Sequence, residues 1–366
     1  MDGIKSGQEK TRNTFVDLMR GVAILLVVLG HTMHGSVSGA EGTFVYNLIW
    51  SLQMPLFMLI SGYITRYGRP IRSAEDLGRF LLKRTVSYLL PWTVWTFAVR
   101  GLLLGNTDAV FDLEKLFWHM DTGYWFLISI WIICVIWAVS QFVSAKIAGE
   151  GKPVFRIAFA GLFYCVGMGL LAVVGWQTGF SFLTIKQTLY YMPFFFAGYL
   201  YGQVRDWLAL RRFGWTVIQA AVAISTVAWL VILSRVNLYE IPDTAVYIVI
   251  RAAASMAGCI AVCGLGKGLF DQQNSRFAAL FQRPLRWAGV HSLEIYLAHY
   301  PFLYMLSSGS LPDPGSFKGF CAVLTNYLLT LTVMSVLIIL LSQNGFLRFA
   351  LFGKKKSTIA GKNVAG

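Results

Sequence analysis

The sequence predicts an all-α, polytopic integral membrane protein, with about ten transmembrane helices packed in one bundle. Three observations carry that prediction. Of the 366 residues, 56% are hydrophobic and only 13% are charged, whereas soluble domains run at roughly 45–50% apolar and 25% charged. Apolar runs of about 20 residues, long enough to cross a hydrocarbon core as helices, recur from end to end. Lipid offers no partner to backbone amides, so such runs must satisfy themselves as helices. Lys and Arg also alternate between successive connections, as they do in a chain threaded back and forth through a membrane.

The first span, 15–34, reads "FVDLMRGVAILLVVLGHTMH". Its basic lead and the small residues Ser38–Ala40 are similar to a signal peptide. The run is long, however, and contains Arg20 and His31, so it is read as retained. The second span, 44–65, and the sixth, 187–203, each carry Met-Pro, an aromatic run and then Gly-Tyr. Proline frees a carbonyl and bends a helix, and glycine lets a neighbour approach closely. The third span, 80–103, follows a basic segment. Apolar runs with few charges make the fourth (123–145), fifth (154–174), seventh (214–234) and tenth (319–342). The eighth, 243–265, holds Arg251, and the ninth, 287–307, holds His291, Glu294 and His299. Loops are short, so a single domain over 1–366 is expected, with a core at about 15–342 and a basic cytoplasmic tail at 343–366.

The net charge of +14 reads as a sidedness signal. One side collects Lys5, Lys10 and Arg12, then Arg66, Arg69, Arg72, Arg79, Lys83 and Arg84. It continues through Lys146, Lys152, Arg156, Arg205, Arg211 and Arg212 to Lys267, Arg276, Arg283 and Arg286, and ends with Arg348, Lys354, Lys355, Lys356 and Lys362. The other side has few, among them Lys115, Lys186 and Lys318. Both termini are therefore expected in the cytoplasm, with the chain in the cytoplasmic (inner) membrane. Orientation and attraction to anionic headgroups account for the basic excess, and no nucleic-acid partner is implied. The five cysteines all fall inside spans, where a disulfide framework has no use. Cys259 and Cys263 have no nearby His or Cys to complete a metal site, so no metal is expected.

Ionisable groups inside apolar helices are where function is sought, because exposing them to lipid costs several kcal/mol. Arg20 and His31 are eleven residues apart, within about 20° of one helix face and roughly 16 Å apart along the axis. Asp17 and His34 fall within roughly 60° of the same direction. An Asp17–Arg20 pair at the headgroups with two surface imidazoles also accounts for that stripe. In the ninth span, Glu294 has no cation at i+4 and needs a partner from elsewhere, for which Arg251 is a candidate. His299 is one of few groups that titrate near neutrality. His119 lies near the outer surface and carries no assignment.

Together these stretches resemble the acyltransferase-3 family, integral-membrane enzymes that O-acetylate bacterial surface glycans. "FVDLMRGVAILLVVLGH" is similar to the family's opening motif, an Arg and a His separated by ten residues with Asp three before the Arg. "MPLFMLISGY", "FLLKRTVSYLLPW", "YWFLISIW", "MPFFFAGYLYG" and "SLEIYLAH" are similar to later segments, in order. Some relatives fuse an extracytoplasmic esterase-like domain that is not expected here, and His291 stands where relatives often have Asn.

The resemblance implies transfer of an acyl group, usually acetyl from acetyl-CoA, to a hydroxyl of a cell-surface glycan or its lipid-linked precursor. It implies catalytic roles for His31, Arg20, Asp17, Glu294 and His299. Arg66, Arg69, Arg72, Lys83 and Arg84 suit the phosphates of acetyl-CoA, although topology signalling also explains that cluster. His31 could act as general base or as a covalent acyl relay, with Glu294 orienting an imidazole or balancing Arg20. Two other classes stay open: a glycolipid transporter or flippase using the same charges as a path, and a structural subunit of an envelope assembly.

Overall fold

In a computed structural model the described residues are 13–105, 107, 112–119, 124–149, 153–209, 214–270, 276–303 and 311–354. Several residues of the basic pattern, among them Lys5, Lys10, Arg12, Lys152, Arg211, Arg212, Lys355, Lys356 and Lys362, lie outside them. Among the described residues every regular element is a helix.

Helix α1 spans Thr14–Ser36 and is capped by the Asn13 side chain, which accepts from the Val16 amide. Helix α2, Phe44–Tyr63, is capped in the same way by Thr43. Helix α3, Ala74–Thr93, begins with a reciprocal capping box between Ser73 and Asp76 and runs on as a π-helix, Val94–Leu103. A short α4 (Leu113–Trp118) precedes α5 (Trp125–Ala148), α6 (Pro153–Thr178), α7 (Ile185–Ala209), α8 (Gly214–Arg235) and α9 (Ala245–Phe270). Then come α10 (Arg276–Val290), α11 (Ser292–Ala298), α12 (Phe317–Gln343) and α13 (Gly345–Phe352).

Among the described residues, seven helices are long and apolar enough to cross a membrane: α1, α2 with its 3-10 extension to Tyr67, α5, α6, α8, α9 and α12. The other three predicted spans fall on helix of a different character. Predicted span 80–103 is the second part of α3 and its π continuation, and 187–203 lies inside α7. The ninth is broken: α10 ends at Val290, α11 is only seven residues long, and Pro301 follows in a 3-10 turn. The expected basic tail is also more than a tail, since α13 folds back onto α3.

The bundle centres on α1 and α2. Helix α1 packs on α2, α10 and α12, and α2 packs on α7 and α9. Two glycine pairs set the closest approaches. A Cβ on Gly62 would lie 1.8 Å from the Phe195 carbonyl oxygen, and one on Gly198 would lie 1.9 Å from that of Leu59. The two Gly-Tyr motifs of the sequence therefore pack against each other. Gly21 and Gly289 do the same for α1 and α10, at 2.0 Å from the Leu285 oxygen and 1.7 Å from the Asp17 oxygen.

Candidate active site

A cavity of about 330 Å³ opens where α1, α3, α5, the α10–α11 break and α13 meet. Its charged lining is Arg20, Glu294, Arg348 and Lys354; Ser87, Tyr88 and His291 add polar atoms, and Phe57, Phe126 and Phe352 close it. The contact of α10 with α1 at Gly289, together with the break after Val290, brings α11 in beside Arg20. Glu294 is 2% exposed, and its Oε1 lies 2.5 Å from Lys354 Nζ and 3.3 Å from His291 Nδ1. Lys354 also donates to the Val290 carbonyl at 3.2 Å. A buried carboxylate needs pairing and hydrogen bonds, and these contacts supply them at Oε1, while Oε2 is buried with no hydrogen-bond partner among the described residues.

Further along α1, a second constellation forms around two imidazoles. The His31 and His299 rings lie 5.3 Å apart, with the Tyr300 ring 6.5 Å from His31. Arg100, from the π-helix, stands 5.9 Å over Tyr300. His299 is 1% exposed, and its Nδ1 lies 2.7 Å from the Tyr296 carbonyl oxygen. A carbonyl only accepts, so Nδ1 carries the proton and Nε2 the lone pair. That Nε2 is buried with no hydrogen-bond partner among the described residues. His31 keeps an exposed face. The two constellations are joined by α11: the Tyr296 ring lines the cavity and lies 5.9 Å from the His299 ring.

The sequence-predicted residues divide accordingly. Arg20 and Glu294 line the cavity; Asp17, one turn before Arg20, is buried and is not among the lining residues; His31 and His299 form the pair beyond. His34 is exposed and bonds Glu41 at 2.5 Å, outside both groups.

The suggested Arg251–Glu294 pair does not form. Arg251 donates to Asp243 at 2.9 Å and to the carbonyls of Leu238 and Ile241, with its guanidinium 5.1 Å over Trp50. Glu294 takes Lys354 instead, because α13 returns to the break in the ninth span and brings that ammonium to it.

The five basic residues expected to hold acetyl-CoA are not gathered into one nest. Arg66 pairs with Asp206 at 2.5 Å, and Arg69, Arg72 and Lys83 are exposed. Arg84 turns inward, donating to the Tyr88 hydroxyl at 3.4 Å, and its Nε is buried without a partner among the described residues. Tyr88 lines the cavity, so this bond ties Arg84 to its wall.

A family model described as an acyltransferase domain matches residues 13–343. The chain belongs to the acyltransferase-3 family. Among similar proteins are two called nodulation protein NolL. The one from Mesorhizobium japonicum is 25% identical over 217 residues, covering 49% of this chain and 56% of its own length. The one from Sinorhizobium fredii is 27% identical over 154 residues, covering 39% and 40%. The match thus spans about half the length of these curated relatives. No solved structure matches the chain at comparable stringency.

For a member of this family the two constellations are complementary. One is a cation-lined cavity, and the other a pair of imidazoles with a lone pair held ready. Among the described residues no group of His, Cys, Asp and Glu could hold a metal ion. The sequence does not mark Arg100, Tyr300, Tyr88, Arg348 or Lys354 as site residues. Arg348 and Lys354 read there as tail charges, and nothing local shows them returning to the ninth span.

Proposed function

We propose that this protein is a membrane O-acyltransferase that moves an acetyl group from acetyl-CoA to a hydroxyl of a cell-surface glycan or its lipid-linked precursor. It does so as one integral domain in the cytoplasmic (inner) membrane, with both termini in the cytoplasm. The observation that carries this reading is the His31–His299 pair, set on the helices that also line the cation-rich cavity. In this reading Arg20 and Arg84 attract the anionic donor, while the exposed Arg69, Arg72 and Lys83 raise its local concentration. The cavity is at the small end of the range for ligand pockets. It fits the acyl-bearing arm of the donor with the phosphates at its mouth, leaving the adenosine towards the cytoplasm.

Chemically, an acceptor hydroxyl is a weak nucleophile until a base takes its proton. In the direct route an imidazole nitrogen accepts that proton as the hydroxyl oxygen bonds to the thioester carbonyl carbon. The carbon–sulfur bond then breaks, and the thiolate takes the proton from the imidazolium to leave as the free thiol. In the relay route an imidazole nitrogen bonds to the thioester carbonyl carbon, the carbon–sulfur bond breaks and the thiolate leaves as thiol with the ring proton. The acceptor oxygen then bonds to that carbon, the carbon–nitrogen bond breaks and the hydroxyl proton returns to the ring. His299, with its tautomer fixed by Tyr296, is built to work through Nε2; His31 offers the face that an acceptor can reach.

The test is acetyl transfer from labelled acetyl-CoA in membranes, with mass spectrometry of the glycan from cells with and without the protein. His31→Ala is expected to lower the rate by roughly 10²–10⁴-fold while insertion is kept. A two- or three-fold effect in both His31→Ala and His299→Ala would remove the imidazole pair from the chemistry.

A further inference from the structure

The segment after α12 is built with more care than a topology signal needs. Its helix α13 starts on Asn344, whose side chain accepts from the amides of Phe346 and Leu347. It ends at Gly353, which is left-handed at φ 63° and donates to the Phe349 carbonyl at 2.8 Å. A Cβ at Gly353 would stand 2.5 Å from the Val86 oxygen, so only glycine meets both the conformation and the close approach. Phe352 is fully buried, 6.4 Å from the Trp95 ring, and Trp95 Nε1 donates to the Leu351 carbonyl at 2.9 Å. These contacts fix where the next residue goes. Lys354 enters the cavity and meets Glu294 at 2.5 Å, while Arg348, further back along α13, lines the same cavity. The charged lining is then Arg20, Arg348 and Lys354 against the single carboxylate of Glu294.

We infer that α13 is a wall of the donor site and that Lys354 and Arg348 determine its specificity, selecting an acyl thioester that carries phosphate over one that does not. This rests on the acyl-transfer reading above and adds to it a segment that the charge pattern assigns to sidedness alone. Lys354 has two jobs here. It is the positioning partner of Glu294, and with Arg348 it gives the cavity an excess of positive charge that an anionic donor neutralises. Ammonium and guanidinium bonds to phosphate are charge-assisted and shorter than neutral ones, so losing one weakens donor binding selectively.

The discriminating experiment compares two donors on the full-length protein in membranes: acetyl-CoA, and S-acetyl-pantetheine, which has the same thioester and arm but no phosphate. Lys354→Met and Arg348→Gln should each raise KM for acetyl-CoA by roughly tenfold or more. With S-acetyl-pantetheine the losses should be several-fold smaller than with acetyl-CoA, and Lys354→Arg should restore acetyl-CoA. Binding of free coenzyme A to the purified protein is measured alongside. Wild type binding coenzyme A while Lys354→Met does not supports the inference even where turnover is lost. Equal losses with both donors, or equal coenzyme A affinity in wild type and variants, would reduce α13 to a structural brace and overturn it. Wild type that binds coenzyme A yet transfers no acyl group would overturn the acyl-transfer reading and leave the donor wall standing. Wild type that does not bind coenzyme A would overturn both.

Discussion

At the scale of single residues, position inside the membrane tells less than partners do. Arg251 and Glu294 look alike in the sequence, each an ionisable group in an apolar helix. In the folded chain Arg251 is a brace that holds the 238–243 turn through two carbonyls and Asp243. Asp243 also pairs with Lys186, and the hydrogen bonds from Lys186 and then Arg251 hold its carboxyl below the usual 3.8. A lowered carboxylate pKa contributes stability that is present above the unfolded value and is lost as pH falls through the folded one. Thermal stability of the purified protein should therefore fall off below about pH 4, and Asp243→Asn should flatten that part of the profile. Asp243→Asn is expected to leave the donor KM unchanged, as Asp243 is not among the residues lining the cavity. An unchanged acid limb in the variant would show that Asp243 contributes nothing measurable. His299 poses the sharper residue question. Its Nδ1–H is committed to Tyr296, so His299→Gln, which can still donate a hydrogen bond but is no base, should fold and lose transfer. Full activity in His299→Gln would assign the chemistry to His31 alone.

At the scale of elements, the sequence makes legible whatever a long apolar run encodes. The helices α1, α2, α5, α6, α8, α9 and α12 all fall close to the spans expected from such runs, because burying or embedding each run leaves helix as the only satisfied backbone. The ninth span reads as one helix, but its described part, 287–303, is the end of α10, the short α11 and a 3-10 turn, and 304–307 lie outside the described residues. A break after Val290 and a turn at Tyr300–Phe302 interrupt it. Pro301 signals the second interruption; the first has no comparable local signal, and it is the one that delivers Glu294 to the cavity. Pairing is equally illegible. The Gly-Tyr motifs announce close approach without saying that they meet each other, since which helices neighbour one another is a property of the assembled bundle. Gly62→Ala would drive a methyl into the Phe195 carbonyl, and Gly198→Ala one into that of Leu59. Each should abolish the monodisperse peak in detergent chromatography or lower Tm by many degrees. Gly78→Ala, on α3 with nothing within 4 Å, should stabilise by about 1 kcal/mol through helix propensity. Equal Tm in Gly62→Ala and Gly78→Ala would mean that α2 and α7 are not so close.

At the scale of the whole molecule, α1 acts as a ruler between two ends. Arg20 lies at the end where Lys354 and the α10–α11 break converge. The opposite end carries Ser36, bonded by Asn326 Nδ2 at 2.9 Å, and Ser38, whose amide donates to the Pro312 carbonyl at 3.0 Å. His31 lies towards that second end, roughly 16 Å of helix rise from Arg20. The proposed chemistry needs these ends on opposite sides, because the donor is made in the cytoplasm and a surface glycan is reached from the outer leaflet. The Lys/Arg alternation gives the same polarity by an independent route, placing Arg66, Arg69 and Arg72 with the tail. Sidedness is therefore a joint test of fold and mechanism. Single cysteines placed at Ser38 and at Arg69 should react differently with a membrane-impermeant maleimide. Ser38→Cys should label in intact cells, and Arg69→Cys only after the cells are opened. Arg69→Cys labelling in intact cells would invert the molecule, put the cation-lined cavity away from cytoplasmic acetyl-CoA, and leave the His31–His299 pair without its donor.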